Sequence, residues 1–114
     1  MITSCMIPAA LALAAIPALA PFPAGAADLA AGKARAAMCA TCHGPKGLAV
    51  VPDAPNLAGD SAYYLAAQLK AFKSGKRQHE QMSLIAQSLS DGDIDNLAAW
   101  FSAITVEATL PPVK

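Results

Sequence analysis

The side chains best suited to chemistry in this chain, two thiols and an imidazole, lie within five consecutive residues: Cys39, Ala40, Thr41, Cys42 and His43. C-x-x-C-H is the attachment signature of haem c, because two thiols add across the two vinyl groups of one porphyrin and the next imidazole ligates the iron. Along an α-helix each residue turns by about 100°, so Cys42 lies about 60° to one side of Cys39 and His43 about 40° to the other. The motif predicts covalent haem attachment at Cys39 and Cys42, with His43 as an iron ligand.

Two other uses of the cysteine pair agree less well with the sequence. A thioredoxin-like dithiol belongs to a βαβ unit, and no strand pattern flanks the motif. A structural zinc site needs four ligands. After residue 27 the cysteine and histidine candidates are Cys39, Cys42, His43 and His79, at a spacing unlike that of a zinc finger. The sequence therefore favours haem over dithiol redox chemistry or zinc.

The second axial position of the iron has three candidate occupants. Met82 is the only methionine after the motif, 39 residues beyond His43, and a thioether ligand raises the reduction potential of haem iron. Without the motif, Met82 would be interpreted as an adaptable core residue. His79, between Gln78 and Glu80, has a surface-like setting, and an open or water-bound position is the third candidate. We predict His43 and Met82 as the metal ligands.

Size and charge narrow the class of protein. The chain has 114 residues, with eight basic and eight acidic side chains and a formal net charge of zero. This length fits one small domain. The balanced charge argues against a nucleic-acid-binding protein, which carries a basic excess. A domain this short is marginal for a core of side chains alone, and a covalently held haem would add apolar mass.

The N-terminal segment has the order of a secretory signal peptide. Residues 1–27 carry no charged side chain, and an apolar run over 7–20 precedes two prolines and a small-residue stretch. This order predicts cleavage after Ala26 or Ala27, although the lysine or arginine that usually opens a signal peptide is missing. The rival interpretation is a membrane anchor, but the apolar run is shorter than the roughly 20 residues of a spanning helix.

The signal peptide places the rest of the chain in the periplasm. We predict one haem-binding domain over residues 28–114, with no stable membrane insertion once segment 1–27 is removed. Cys5 precedes the apolar run, whereas a lipidated cysteine follows one, so we expect Cys5 to be discarded with the signal.

Three helices and two irregular stretches are expected after the signal. Helices are predicted over 28–40, over 61–75 and from Ser90 onward, where a capping box begins. The second helix has one apolar stripe, made of Leu65, Leu69 and Phe72. Glycines and prolines mark 44–59 as a loop, and a loop this long in a small domain is usually functional. Residues 78–89, which include Met82, show little helical regularity.

Residues spread over 28–106 carry a family resemblance: Cys39 to Gly44, Pro55-Asn56-Leu57-Ala58-Gly59, Tyr64, Leu65, Gln68, Leu69, Phe72, Gly75, Arg77, Met82, Leu89-Ser90-Asp91 and Leu97-Ala98-Ala99-Trp100. On these residues the sequence resembles a class I c-type cytochrome of the small bacterial periplasmic kind. The resemblance implies an all-α fold, with three to five helices around one covalently bound haem. It also implies that the first and last helices cross at Gly32, against Trp100 or Phe101.

Two further cofactor-binding residues follow from the resemblance alone. Pro55 corresponds to the proline whose carbonyl accepts a hydrogen bond from the proximal imidazole, here His43, a contact that strengthens the ligand. Arg77 corresponds to a basic residue often found near a haem propionate.

The resemblance implies a one-electron carrier that alternates between Fe(III) and Fe(II) and binds no substrate. Its partners would be redox proteins such as a dehydrogenase or a terminal oxidase. One alternative is the cytochrome subunit of a periplasmic dehydrogenase that oxidises a sulfur compound or an alcohol. Another is a gas-binding or catalytic haem protein with an open sixth site, against which Met82 argues.

A basic cluster lies near the end of the second predicted helix and consists of Lys70, Lys73, Lys76 and Arg77. It is either a docking surface for a partner or a solvated helix end.

Overall fold

The computed structural model describes residues 25–113, and none of these residues forms a strand. The predicted all-α class is confirmed. A 3₁₀ turn, Ala37–Cys39, separates the first two of the five α-helices: α1 (Leu29–Ala36), α2 (Ala40–His43), α3 (Ala62–Ser74), α4 (Met82–Gln87) and α5 (Asp91–Ser102). Within the described part of the chain, no helix is long and apolar enough to cross a membrane. All but the last three residues of the predicted signal peptide lie outside the described residues.

Three helices begin next to a residue whose side chain accepts hydrogen bonds from the first backbone N–H groups of the helix. The Oδ1 atom of Asp28 accepts from Ala30 and Ala31 at the start of α1. Ser61 accepts from the third residue of α3. At α5, the Asp93 N–H donates to Ser90 Oγ and the Ser90 N–H to Asp93 Oδ2, both at 3.0 Å. Each cap stabilises its helix by about 1 kcal/mol, and the predicted capping box is confirmed.

The first and last helices cross at Gly32, as the resemblance implied. A Cβ atom at this position would collide with the Asn96 carbonyl and lie 2.9 Å from the Trp100 Cβ atom. Of the two aromatic candidates, Trp100 lies at the crossing, whereas Phe101 is buried in the core. The crossing is also tied by the Asp28 N–H, which donates to Asn96 Oδ1 at 2.7 Å.

The core lies where α1, α3 and α5 meet, and Leu89 joins it from the segment that follows α4. Its buried members are Ala36, Leu65, Leu89, Ile94, Leu97, Ala98 and Phe101. The predicted stripe of α3 faces inward, with Leu65 and Phe72 buried and Leu69 partly buried. The helix ends at Gly75, whose φ of +79° is the left-handed conformation expected at this position.

Two stretches of the chain differ from the sequence prediction. The helix expected over 28–40 becomes 3₁₀ at Ala37, although the backbone stays right-handed helical through Ala40. The stretch 78–89, expected to be irregular, contains α4. The sequence did not signal this helix because its N-terminus has no Ser, Thr, Asp or Asn cap. His79 supplies the cap instead, accepting from the Met82 N–H.

Candidate haem-binding site

One cavity of about 270 Å³ brings together every residue that the sequence predicts for the site. The loop and all helices except α1 contribute to its wall. Apolar side chains from α3, α4 and α5 line it, which suits a largely apolar ring. The predicted site residues in the wall are Cys39, Cys42, His43, Pro55, Arg77 and Met82, and His79 also lines it.

His43 is oriented by the loop that follows it. Its side chain is only 6% exposed, and its Nδ1 atom lies 2.8 Å from the Pro55 carbonyl oxygen. Since a carbonyl only accepts, Nδ1 carries the proton and donates. The other ring nitrogen, Nε2, therefore keeps its lone pair for a metal, and the hydrogen bond makes the imidazole a stronger ligand.

The loop over 44–59 is held in place by its own hydrogen bonds. The Gly47 carbonyl accepts from the N–H groups of Leu57 and Ala58, at 2.8 and 3.0 Å. The Ala49 N–H donates to Asn56 Oδ1 at 2.7 Å. Gly47 itself has a φ of +72°, and a Cβ there would lie 2.9 Å from the Phe101 ring. The carbonyl of Pro55 thus belongs to a fixed loop, which is what a stable contact to His43 requires.

The two cysteines do not resemble a dithiol redox pair. Both are free and partly buried. Burial raises the pKa of the Cys39 thiol, and the nearby Arg35 charge opposes this only in part. A redox-active thiol has a lowered pKa. Among residues 25–113, no cluster of three or more His, Cys, Asp or Glu side chains is arranged to hold a metal ion.

Met82 and His79 both reach the wall of the cavity, but in different settings. Met82 is the first residue of α4 and is partly buried. His79 is exposed, and its Nδ1 atom accepts from the N–H groups of Gln81 and Met82, both at 3.3 Å. One nitrogen of His79 is therefore already engaged by the backbone.

Arg77 makes contacts that the sequence did not reveal. Its Nη1 atom donates to Gln68 Oε1 at 2.6 Å, and its guanidinium carbon lies 4.6 Å from the centroid of the Phe72 ring. Gln68 and Tyr64 also line the cavity, and the sequence analysis did not assign them to the site. Their signal in the sequence was the helical spacing of positions 64 and 68, which continues to Phe72 of the apolar stripe.

The basic cluster is partly neutralised. The Nζ atom of Lys70 lies 3.5 Å from Asp95, and that of Lys73 lies 3.2 Å from Asp91. Both aspartates belong to α5, so these pairs join α3 to α5. This arrangement favours a solvated, ion-paired helix end over a docking surface built from all four cations.

The donor set of the cavity fits a haem of the c type. Two thiols, one oriented imidazole and one thioether line a single apolar space. Imidazole and thioether are the axial ligands of cytochromes c, and a pair of cysteines directly before the histidine is the attachment pattern. The fold and the site together define a c-type cytochrome.

Comparison with known proteins gives the same class. Residues 26–101 match the family described as "Cytochrome C oxidase, cbb3-type, subunit III", and the chain belongs to this family. Cytochrome c-554(548) of Halomonas halodenitrificans is 42% identical over 81 residues, which cover 68% of this chain and 98% of that protein. Cytochrome c4 of Pseudomonas aeruginosa is 42% identical over 78 residues, which cover 68% of this chain and 39% of that protein.

Other similar proteins include two named for a thiosulfate dehydrogenase and one cytochrome c4 of known structure. A thiosulfate dehydrogenase electron acceptor of Stutzerimonas stutzeri is 39% identical, with 62% of this chain and 34% of that protein covered. The structure of reduced cytochrome c4 from Pseudomonas stutzeri has a TM-score of 0.66 and 35% identity, and the match covers 70% of this chain and 47% of that chain. The structure of a thiosulfate dehydrogenase from Marichromatium purpuratum has a TM-score of 0.65 and 32% identity, and the match covers 84% of this chain and 24% of that chain.

These matches confirm a small bacterial c-type cytochrome, a haem protein of electron transport with the all-α cytochrome fold. The chain spans about two fifths of the length of the cytochrome c4 relative, whereas cytochrome c-554(548) is covered almost completely.

Proposed function

We propose that this protein is a periplasmic one-electron carrier with a single haem c. Cys39 and Cys42 attach the haem covalently, and His43 and Met82 ligate its iron. The observation that carries the proposal is the 2.8 Å hydrogen bond from His43 Nδ1 to the Pro55 carbonyl. It leaves Nε2 as the ligand atom in a cavity that both cysteines and Met82 also line.

When bound, the haem supplies the Fe(III)/Fe(II) couple, and the chain sets the conditions for it. The Pro55 carbonyl holds the proton on His43 Nδ1 and keeps the ring in one orientation. The apolar wall limits water, and a Met82 thioether favours the ferrous state and a higher reduction potential. Arg77, with a guanidinium held by Gln68 at 2.6 Å, is proposed to lie near a haem propionate.

The domain boundary is part of the same proposal. Residues 1–27 form a signal peptide, cleaved after Ala26 or Ala27, and residues 28–114 form the cytochrome domain. The family match from residue 26 and the Asp28 cap of α1 support a boundary here. Mass spectrometry of the protein purified from the periplasm tests it. A mature N-terminus at Ala27 or Asp28 is expected, and an intact Met1 on the purified protein would refute the signal peptide.

Visible spectroscopy of the native protein and of Met82→Ala tests the ligand set. The ferric protein is expected to show the weak band at the red edge of the visible spectrum that marks methionine bound to haem iron. Met82→Ala should lose this band, lower the reduction potential and allow the ferrous protein to bind CO. Haem retained after acid-acetone extraction indicates covalent attachment, and mass spectrometry should show one haem per chain.

The matched control is Met38→Ala, since Met38 is exposed and lies next to Cys39. This variant should keep the red-edge band and exclude CO. CO binding by the unmodified ferrous protein would contradict the assignment of Met82 and favour an open sixth site. Loss of the haem on extraction would contradict the thioether bonds.

A second candidate is the cytochrome subunit or electron acceptor of a periplasmic dehydrogenase. The relative named as a thiosulfate dehydrogenase electron acceptor and the similarity to a thiosulfate dehydrogenase structure favour it. The ferric protein would be mixed with a purified thiosulfate dehydrogenase and thiosulfate, and the chemically reduced, ferrous protein would be mixed separately with a cbb3-type oxidase as electron acceptor. Fast reduction by the dehydrogenase and stable co-purification with it favour this role, and oxidation by the oxidase alone favours a carrier that serves the oxidase.

A further inference from the structure

His79 and Ser83 form a reciprocal cap at the start of α4. The Nδ1 atom of His79 accepts from the N–H groups of Gln81 and Met82, both at 3.3 Å. In the other direction, the His79 N–H donates to Ser83 Oγ at 3.0 Å. Gln81, which occupies the N-cap position of α4, makes no side-chain cap bond in the described structure. His79 therefore does the work that Ser61 and Ser90 do at α3 and α5.

We infer that His79 is a positioning residue for Met82, an inference that rests on the ligand set in the proposed function. Met82 is the first residue of α4, and its own N–H is bonded to the His79 ring. The cap thus fixes the backbone of the residue whose thioether must reach the iron. His79 acts through Met82 and does not bind the iron itself.

The helix needs this cap because it is short. It has six residues, and helices of this length are marginal without support from their ends or from packing. The first N–H groups of any helix have no partner within it. Loss of the His79 acceptor would free the N–H groups of Gln81 and Met82 and loosen the first turn, which contains Met82.

The cap also excludes His79 as the iron ligand in this conformation. A neutral imidazole has one donor nitrogen and one acceptor nitrogen. Because Nδ1 accepts from two backbone N–H groups, Nε2 carries the proton and has no lone pair for a metal. Ligation through Nε2 would put the proton on Nδ1 and break both bonds. His79 therefore either caps α4 or binds iron, and the structure has it as the cap.

Two substitutions at His79 test this role in the purified haem protein. His79→Ala removes the acceptor, whereas His79→Asn keeps one, because the asparagine Oδ1 atom is bonded to Cγ as Nδ1 is in histidine. Asparagine is also a preferred capping residue. Ser61→Ala is the matched control, since it removes one cap bond from α3 and leaves α4 unchanged.

Cyanide affinity of the ferric protein at fixed pH measures how often Met82 leaves the iron, since cyanide binds only the vacant position. The loss of one cap corresponds to about a fivefold shift in a local equilibrium. We therefore expect His79→Ala to raise the cyanide affinity about fivefold and to lose the red-edge band at a lower temperature. His79→Asn and Ser61→Ala should stay within about twofold of the unmodified protein, by the same reasoning.

Each result bears on a different part of the inference. If the unmodified protein has the band and His79→Ala binds cyanide no more tightly, the positioning role is refuted while Met82 ligation stands. If Ser61→Ala raises the affinity as much as His79→Ala, the effect is general destabilisation and the inference fails. If the unmodified protein lacks the band and His79→Ala opens the iron to CO, His79 is the ligand, and both the inference and the proposed ligand set are wrong.

Discussion

Replacing Gly32 by alanine should loosen the crossing of α1 and α5. The new Cβ atom would collide with the Asn96 carbonyl and lie 2.9 Å from the Trp100 Cβ atom. Neither neighbour is the end of a flexible side chain, so the two helices must move apart. Forcing a methyl group into a packed interface costs about 1–3 kcal/mol. Because alanine has a better helix propensity than glycine, the substitution also stabilises the helix by up to about 1 kcal/mol. The steric cost is the larger of the two effects.

With a steric cost in the middle of its range, about 2 kcal/mol, less about 1 kcal/mol of helix propensity, the expected net loss in the free energy of unfolding is about 1 kcal/mol. For a domain of this size it corresponds to a fall in melting temperature of roughly 4–8 °C. Gly92→Ala is the matched control, because Gly92 also lies in a helix and its nearest neighbour is Ser90 Oγ at 3.8 Å. That substitution has room for its methyl group and should be neutral or slightly stabilising.

Guanidinium unfolding of the ferric haem protein, followed by helical circular dichroism, measures both changes. The reasoning about the crossing is refuted if Gly32→Ala is as stable as Gly92→Ala.

Three further outcomes are expected. Leu97→Ala should cost about 2–5 kcal/mol in the free energy of unfolding by denaturant, because the side chain is buried in the core. The hydrogen bonds from Ser90 lower the pKa of Asp93 below 3.8, so this carboxylate stabilises the fold fully above that value and less as the pH falls through its folded pKa. Acid unfolding of Asp93→Asn should accordingly show a weaker pH dependence below pH 3.8 than that of the native protein. Arg77→Gln should lower the reduction potential measured by spectroelectrochemistry, since it removes a positive charge from the cavity wall, whereas Gln68→Ala should lower it less.

Several predictions that the structure confirms depend on residues close together in the sequence. The cap at Ser90 depends on Asp93 three positions later. The end of α3 at Gly75 depends on one residue that tolerates a positive φ. Such features follow from local backbone geometry and side-chain chemistry, so the sequence alone predicts them.

The expected helix over 28–40 and the missed helix α4 show where local rules fail. The first stretch stays helical but tightens to 3₁₀ at Ala37, a distinction that residue propensities do not make. The second has no usual N-cap residue, and propensity alone does not indicate that a histidine takes that role. His79 was interpreted as a surface residue, which is correct for its exposure but leaves out its hydrogen bonds.

By itself, the sequence predicted the class of cofactor and the all-α architecture, which are confirmed, and it singles out Cys39, Cys42 and His43 for the proposed attachment and proximal ligation. Only the tertiary structure decided that Trp100 rather than Phe101 meets Gly32, that Lys70 and Lys73 pair with aspartates of α5, and that the Pro55 carbonyl lies 2.8 Å from His43 Nδ1. The physical reason is that these contacts join separate elements. Their geometry depends on how the helices and the loop pack around the cavity, and residue spacing along the chain does not specify that packing.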